Sequence, residues 1–328
     1  MIDNDFPLYA ICFFTTLLFT VIAEKLLIPF LKQRAAQPIY EEGPAWHLPK
    51  SGTPTMGGLA FFVASLLSLS LGSIYLFLSG KSEYATSLLL CLAYAAFNAL
   101  IGIADDAKKL LKKQNAGLSP KQKLLFQGIS SALFLLARFW LLGDRGIISF
   151  SFGEVDLGFL YYPLAFFVLL GITNCANLTD GIDGLASSVG FAVAVSLFYI
   201  SCALSSDVAF IASAIMGATV GFLIFNLNPA KIFMGDTGSL FLGALGAASA
   251  IALGNPLLIV FVGGVYVIEG ISVILQVLHF KRTRRRLFKM APLHHHLEKC
   301  GWGENRICIV GIIATFLMSV PAFVLYLP

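Results

Sequence analysis

The chain has 328 residues, 58% of them hydrophobic and only 12% charged, with a formal net charge of +4 and a mean hydropathy of +0.84. A soluble domain carries roughly 25% charge. The composition therefore excludes a soluble globule and indicates an all-α polytopic membrane protein, one integral domain over residues 1–328 set in a lipid bilayer.

The first apolar run, Leu8 to Leu31, is too long for a signal-peptide core and has no cleavage pattern, so it is the first span. Hydropathy predicts about ten spans, near 8–31, 56–79, 86–104, 124–142, 160–177, 187–204, 208–226, 239–254, 257–280 and 306–327. The segments 160–177 and 239–254 are short and contain glycine. Lys and Arg fix the orientation. Eighteen of the 22 fall in one set of loops, and the opposite set holds only Lys81 and Arg145. The cation-rich loops are then cytoplasmic, and both termini lie outside, which an even number of spans requires.

The outer loops carry little chemistry. Residues 143–159 alternate apolar and polar positions between glycines and predict a small hairpin. Gly80-Lys81-Ser82 echoes a phosphate-binding loop, but Tyr75 stands where the earlier glycine belongs. The sequon at Asn177 falls on the cytoplasmic side, which excludes a glycan. Six cysteines contain no Cys-x-x-Cys pair, so neither a disulfide framework nor zinc is expected. No internal repeat is present, against the inverted repeats of many transporters.

The cytoplasmic loops are different. The first runs from His47 through Lys50 and Pro54 to Gly57 and Gly58, a shaped turn with a cation for an anion. The second begins Asp105-Asp106-Ala-Lys108-Lys109 as the chain leaves a span. The third contains Asn177, Asp180 and Asp183; on a helix the two aspartates share a face. The fourth, Asn226 to Ser239, places Phe233 and Asp236 between segments uncharged over Val208–Leu227 and Thr237–Ile268. The fifth has a basic run, Lys281 to Arg286, then His294, His295 and His296. Each has a plain structural explanation. Asp236 and Thr237 cap helices well, lysines flank spans, and basic runs anchor at anionic headgroups. Adjacent histidines do not share a helix face, which argues against one metal held by all three.

Together the clusters say more. Asp105, Asp106, Asp180, Asp183 and Asp236 all fall on one side of the membrane, with lysines, histidines and glycines. Hard carboxylate oxygens suit Mg²⁺ held together with substrate phosphates. Spacing alone points to Mg²⁺-dependent phosphoryl transfer with one lipid-borne reactant. A transporter needs polar groups at mid-membrane, and only Glu269 and Glu24 lie within the spans as acids. Glu269, about midway along the ninth span, is expected to face protein or a cavity and not lipid.

The motifs Lys50-Ser-Gly-Thr-Pro-Thr-Met-Gly-Gly58, Asp105-Asp106-Ala-Lys-Lys109, Asn177-Leu-Thr-Asp-Gly-Ile-Asp183-Gly, Phe233-Met-Gly-Asp236-Thr-Gly-Ser and Met290-Ala-Pro-Leu-His-His-His296 give the chain an end-to-end resemblance to a known family. It resembles the phospho-N-acetylmuramoyl-pentapeptide transferases, within the polyprenyl-phosphate N-acetylhexosamine-1-phosphate transferases. The first and last motifs separate it from N-acetylglucosamine-transferring relatives. The resemblance implies transfer of phospho-MurNAc-pentapeptide from UDP-MurNAc-pentapeptide to undecaprenyl phosphate, giving lipid I and UMP at a bacterial plasma membrane. It also implies Mg²⁺ on Asp236, with Asp105, Asp106 and Asp236 catalytic. Lys50, Lys109, Lys121, Asn177, Asp180, Asp183, Asn226, Phe233, Gln276, His295 and His296 are then expected at the substrates. A homodimer is compatible with this reading, and no nucleic-acid partner is expected. Ile182 departs from the commoner leucine, which affects packing only.

Overall fold

The computed structural model describes residues 5–32, 50, 52–112 and 117–327. His47 and Ser51 of the first motif loop, and Arg34 and Lys113 of the cation tally, lie outside them. Twelve α-helices are present among the described residues. They are α1 (Phe6–Lys32), α2 (Gly58–Leu78), α3 (Ser82–Lys112), α4 (Pro120–Leu142), α5 (Tyr161–Thr179), α6 (Leu185–Ala203), α7 (Val208–Asn226), α8 (Gly235–Ala252), α9 (Leu258–Val262), α10 (Gly264–Thr283), α11 (Leu293–Lys299) and α12 (Glu304–Tyr326). The predicted hairpin is present: β1 (Ile147–Phe150) pairs antiparallel with β2 (Gly153–Asp156), Ile147 opposite Asp156.

Nine of these helices are long and apolar enough to cross a membrane. The tenth predicted span is α8, whose hydropathy is diluted by Gly, Ala and Ser. It needs no lipid-facing surface, because every residue from Thr237 to Ile251 is buried. It runs through the middle of the bundle against α2, α3, α5, α6 and α7. Small residues let helices approach closely where no hydrophobic force separates helix from lipid. A side chain at Gly102 of α3 would lie 2.4 Å from the Asp236 carbonyl, and one at Gly58 of α2 would lie 2.2 Å from the Gly238 Cα. On the periphery the pattern reverses: Leu26, Trp140, Phe167 and Val324 are exposed apolar side chains on α1, α4, α5 and α12.

The helix ends sort the bundle into two poles. At one, Asp5 pairs with Lys81, Asn255 after α8 donates to the Ser149 carbonyl in the hairpin, and Ser151 N–H donates to the Leu325 carbonyl. At the other lie the ends of α3, α5 and α7 and the starts of α2, α4, α6, α8 and α12.

Three expectations need correction. Asp105 and Asp106 are not in a loop: α3 runs to Lys112, so its last turns carry both acids beyond the predicted end at 104. The ninth span is two helices, broken at Gly263 into α9 and α10. Asp180 and Asp183 share no helix face, since they lie in the turn between α5 and α6.

Candidate active site

Three helix ends build the acid cluster. On α3, Asp105, Asp106 and Lys109 stand at i, i+1 and i+4, so one turn brings the lysine back over both acids. Lys109 Nζ lies 2.7 Å from Asp105 Oδ2, 3.4 Å from Asp236 Oδ1 and 3.9 Å from Asp106 Oδ1. From α4, Lys123 reaches Asp105 Oδ1 at 3.1 Å and also pairs with Asp236 Oδ2. The start of α4 is fixed by a capping box: Ser119 Oγ accepts the Gln122 N–H, Gln122 returns the bond, and Pro120 opens the helix.

The carboxylates are held differently. Asp106 acts as a cap supplied from another helix. It accepts from the Asp236 N–H (3.1 Å), the Thr237 N–H (2.9 Å) and the Thr237 hydroxyl (2.7 Å). The two amides are donors that a helix N-terminus leaves unsatisfied, and α8 has no side-chain cap of its own. Capping, expected of Asp236, is thus the work of Asp106. Asp105 accepts the Leu118 N–H at 2.6 Å, under the Gly117 turn. The Asp236 carboxylate is gripped by the two ammoniums instead of by backbone amides. Gly235, at φ +73°, turns the chain into α8 and aims Asp236 at the cluster.

Oxygens of Asp105, Asp106 and Asp236 lie within 4.8 Å of one another, the one such group among the described residues. Three carboxylates at that spacing form a hard-oxygen donor set of the kind Mg²⁺ takes. Counted with Lys109 and Lys123, the cluster carries a net charge of about −1, which suits a divalent cation arriving with an anionic phosphate ligand.

The first motif is bound to the fourth by backbone pairing. Phe233 N–H donates to the Pro54 carbonyl, Gly57 N–H to the Phe233 carbonyl and Gly58 N–H to the Met234 carbonyl, at 2.8–2.9 Å. Phe233 is half-buried beside the cluster, and Asn177 donates to Ser239 Oγ at 2.8 Å. Burial, then the charges of Asp236, Asp106 and Asp183, pushes the Asp180 carboxyl up to about 8.

Other expected substrate residues are engaged within the protein. Lys50 Nζ lies 2.7 Å from both Asp183 Oδ1 and Glu304 Oε2. Asp183 Oδ2 accepts from Asn228 Nδ2 and the Ala230 N–H, both at 3.0 Å, while Glu304 accepts the Asp183 N–H at 2.8 Å. Asn226 is buried, accepting the Gly184 N–H and donating to the Ile232 carbonyl. Gln276 is spent on Leu287 and Phe288. His295 bonds Glu298 at 2.6 Å, and His296 accepts the Lys289 N–H at 3.1 Å. Lys121 is exposed and outside the cluster.

Sequence reasoning missed Lys123, Glu304 and His294. The Ser119 capping box was a usable signal for the first. It starts a helix at Pro120 and puts Lys121 and Lys123 about 200° apart around it, so only one can face the acids.

Comparison with known proteins identifies the family. Residues 88–254 match the family model described as Glycosyl transferase family 4, a segment that holds all three acids and both lysines. Residues 50–62 match the phospho-N-acetylmuramoyl-pentapeptide-transferase signature 1. Proteins named phospho-N-acetylmuramoyl-pentapeptide-transferase from Bacillus mycoides (strain KBAB4), Bacillus thuringiensis (strain Al Hakam) and Bacillus cereus (strain AH187) are each 44% identical over 307 residues, covering 92% of this chain and 93% of the relative. With membrane-crossing helices, a three-acid cluster at one pole and similarity along nearly its whole length, the chain belongs to the phospho-N-acetylmuramoyl-pentapeptide transferase family.

Proposed function

We propose that the protein transfers phospho-N-acetylmuramoyl-pentapeptide from UDP-MurNAc-pentapeptide to undecaprenyl phosphate, with Mg²⁺ as cofactor, at the cytoplasmic face of a bacterial plasma membrane. Lipid I and UMP are the products. The observation that carries the reading is the convergence of Asp105, Asp106 and Asp236 with Lys109 and Lys123 at the pole where the motif loops meet. The cation-rich loops of the sequence gather at that pole, which supports its cytoplasmic placement.

The residue roles follow from how each is held. Asp236, gripped by ammoniums, is free to exchange them for a metal; Asp105 and Asp106, tied to backbone amides, keep their positions as it does. Bound Mg²⁺ supplies charge neutralisation at the pyrophosphate. Lys109 and Lys123, released from the carboxylates, turn to phosphate oxygens. A lipid phosphate with a second pKa near ~6 is largely a dianion at neutral pH and needs no strong base. We therefore favour direct attack on the UDP-sugar β-phosphorus, with Asp105 orienting the lipid phosphate.

UMP release is the test. A chelator should abolish it and Mg²⁺ restore it; full turnover without divalent ions would remove the metal from the scheme. Offering UDP-GlcNAc beside UDP-MurNAc-pentapeptide checks the sugar. A lipid-free single-turnover assay checks the order of events, because a stoichiometric burst of UMP would replace direct attack by a phospho-aspartate route.

A further inference from the structure

Glu269 belongs to no motif, yet it is 4% exposed on α10 with its carboxylate inside the protein. Both oxygens face the His294 N–H, at 3.2 and 3.3 Å, and Oε2 lies 3.2 Å from His294 Nδ1. His294 is 1% exposed, and its ring packs against Gly181 so closely that a side chain there would lie 2.1 Å from Nε2. Gly181 is the neighbour of Asp180. The helix that begins at Leu293 has seven residues and no side-chain cap of its own. So short a helix is not stable alone, and its first N–H groups need an acceptor; Glu269 is that acceptor.

A second contact lies two turns along the same face of α10. Gln276 accepts the Leu287 and Phe288 N–H groups at 3.0 and 2.9 Å and donates to the Phe288 carbonyl at 3.2 Å. The Phe288 ring packs edge-on to His296, centroids 5.7 Å apart. Glu269 and Gln276, seven residues apart, thus hold both ends of the segment that carries the histidines.

We propose that Glu269 is a positioning residue: from α10 it fixes α11 and the His294 ring against the Asp180 turn, so that His295 and His296 are presented to the substrate. Its kinetic consequence rests on the transferase reading above; its structural consequence does not. An uncompensated carboxylate this deep is costly, and here it offsets that cost by organising a loop.

The protein contains its own reporter. Of six cysteines only Cys300, at the end of α11, is exposed. The experiment measures maleimide labelling of Cys300 in the full-length detergent-solubilised protein, alongside UMP release. Glu269→Ala should label at least ~5-fold faster and lose ~10²-fold in turnover, the scale set by a small misplacement of a substrate contact. Combined with His296→Ala it should lose little beyond the single change, since both act through one segment. Glu269→Gln, which keeps an acceptor for the His294 N–H, should restore most of the activity and slow labelling towards wild type. It also serves as the scored variant if Glu269→Ala is not recovered folded. Unchanged Cys300 labelling in a variant that has lost turnover, or fully additive losses in the double variant, would overturn the proposal. Faster labelling in a protein whose wild type releases no UMP would uphold the positioning role and overturn the transferase reading instead.

Discussion

Two acid–lysine clusters stand at the same pole and use the same side chains to opposite ends. Around Lys50, both Asp183 and Glu304 hold the ammonium, yet each also accepts a backbone N–H, and Asp183 takes the Asn228 amide as well. That cluster joins the first motif loop, the α5–α6 turn, the α7–α8 loop and α12. It is a fastening. Around Lys109 and Lys123, the Asp236 carboxylate is held by side chains, the two ammoniums and the neighbouring Asp105 carboxyl, where the Lys50 cluster uses backbone amides. Mobile charged partners can be traded for a metal and phosphates, whereas backbone amides cannot follow a ligand. The partner set, and not the residue type, separates a joint from a site.

The comparison breaks most sharply at Asp236. Asp236→Asn should lower UMP release by ~10³-fold, the upper range for removing one transition-state stabiliser, with the melting temperature in detergent almost unchanged. A large loss of melting temperature would move Asp236 into the fastening class. Next, Lys123→Ala should cost ~10²-fold in turnover, and Lys121→Ala should cost under ~3-fold because its exposed side chain lies outside the cluster. Equal losses would show that the ligand-bound site draws on both lysines.

Asp183→Ala tests the other side. Removing one member of a buried pair costs about 3 kcal/mol, so melting temperature should fall clearly and turnover should follow it. Loss of turnover at unchanged stability would make Asp183 a substrate contact. The last test concerns Asp180. Its folded carboxyl is pushed up to about 8, well above the unfolded value near ~4. The native state then binds the extra proton, and stability is full below pH ~4 and falls as pH rises towards 8. Melting curves in chelator should show that slope, and Asp180→Asn should flatten it.

Much of this was legible in the linear chain. Helical membrane spans declare themselves by composition, because a helix that crosses hydrocarbon must be long and apolar, and nine of the ten predicted spans satisfy that test. Lys109 was readable as a partner of Asp105, because i and i+4 meet on any helix. The Asp236 loop was conspicuous as a charge between two uncharged segments. The motifs also sufficed to indicate the family.

Tertiary structure decided the rest. That Asp106 caps α8, that Lys123 and not Lys121 reaches the acids, and that Lys50 is held by Glu304 are contacts between residues from 18 positions apart, as with Asp105 and Lys123, to 254, as with Lys50 and Glu304. Sequence periodicity fixes neighbours on one element; it is silent about which face of a second helix lies opposite. The same limit explains Glu269: its cost in a membrane span was plain, but its partner is a backbone N–H, which every residue except proline carries and which only the packed fold singles out.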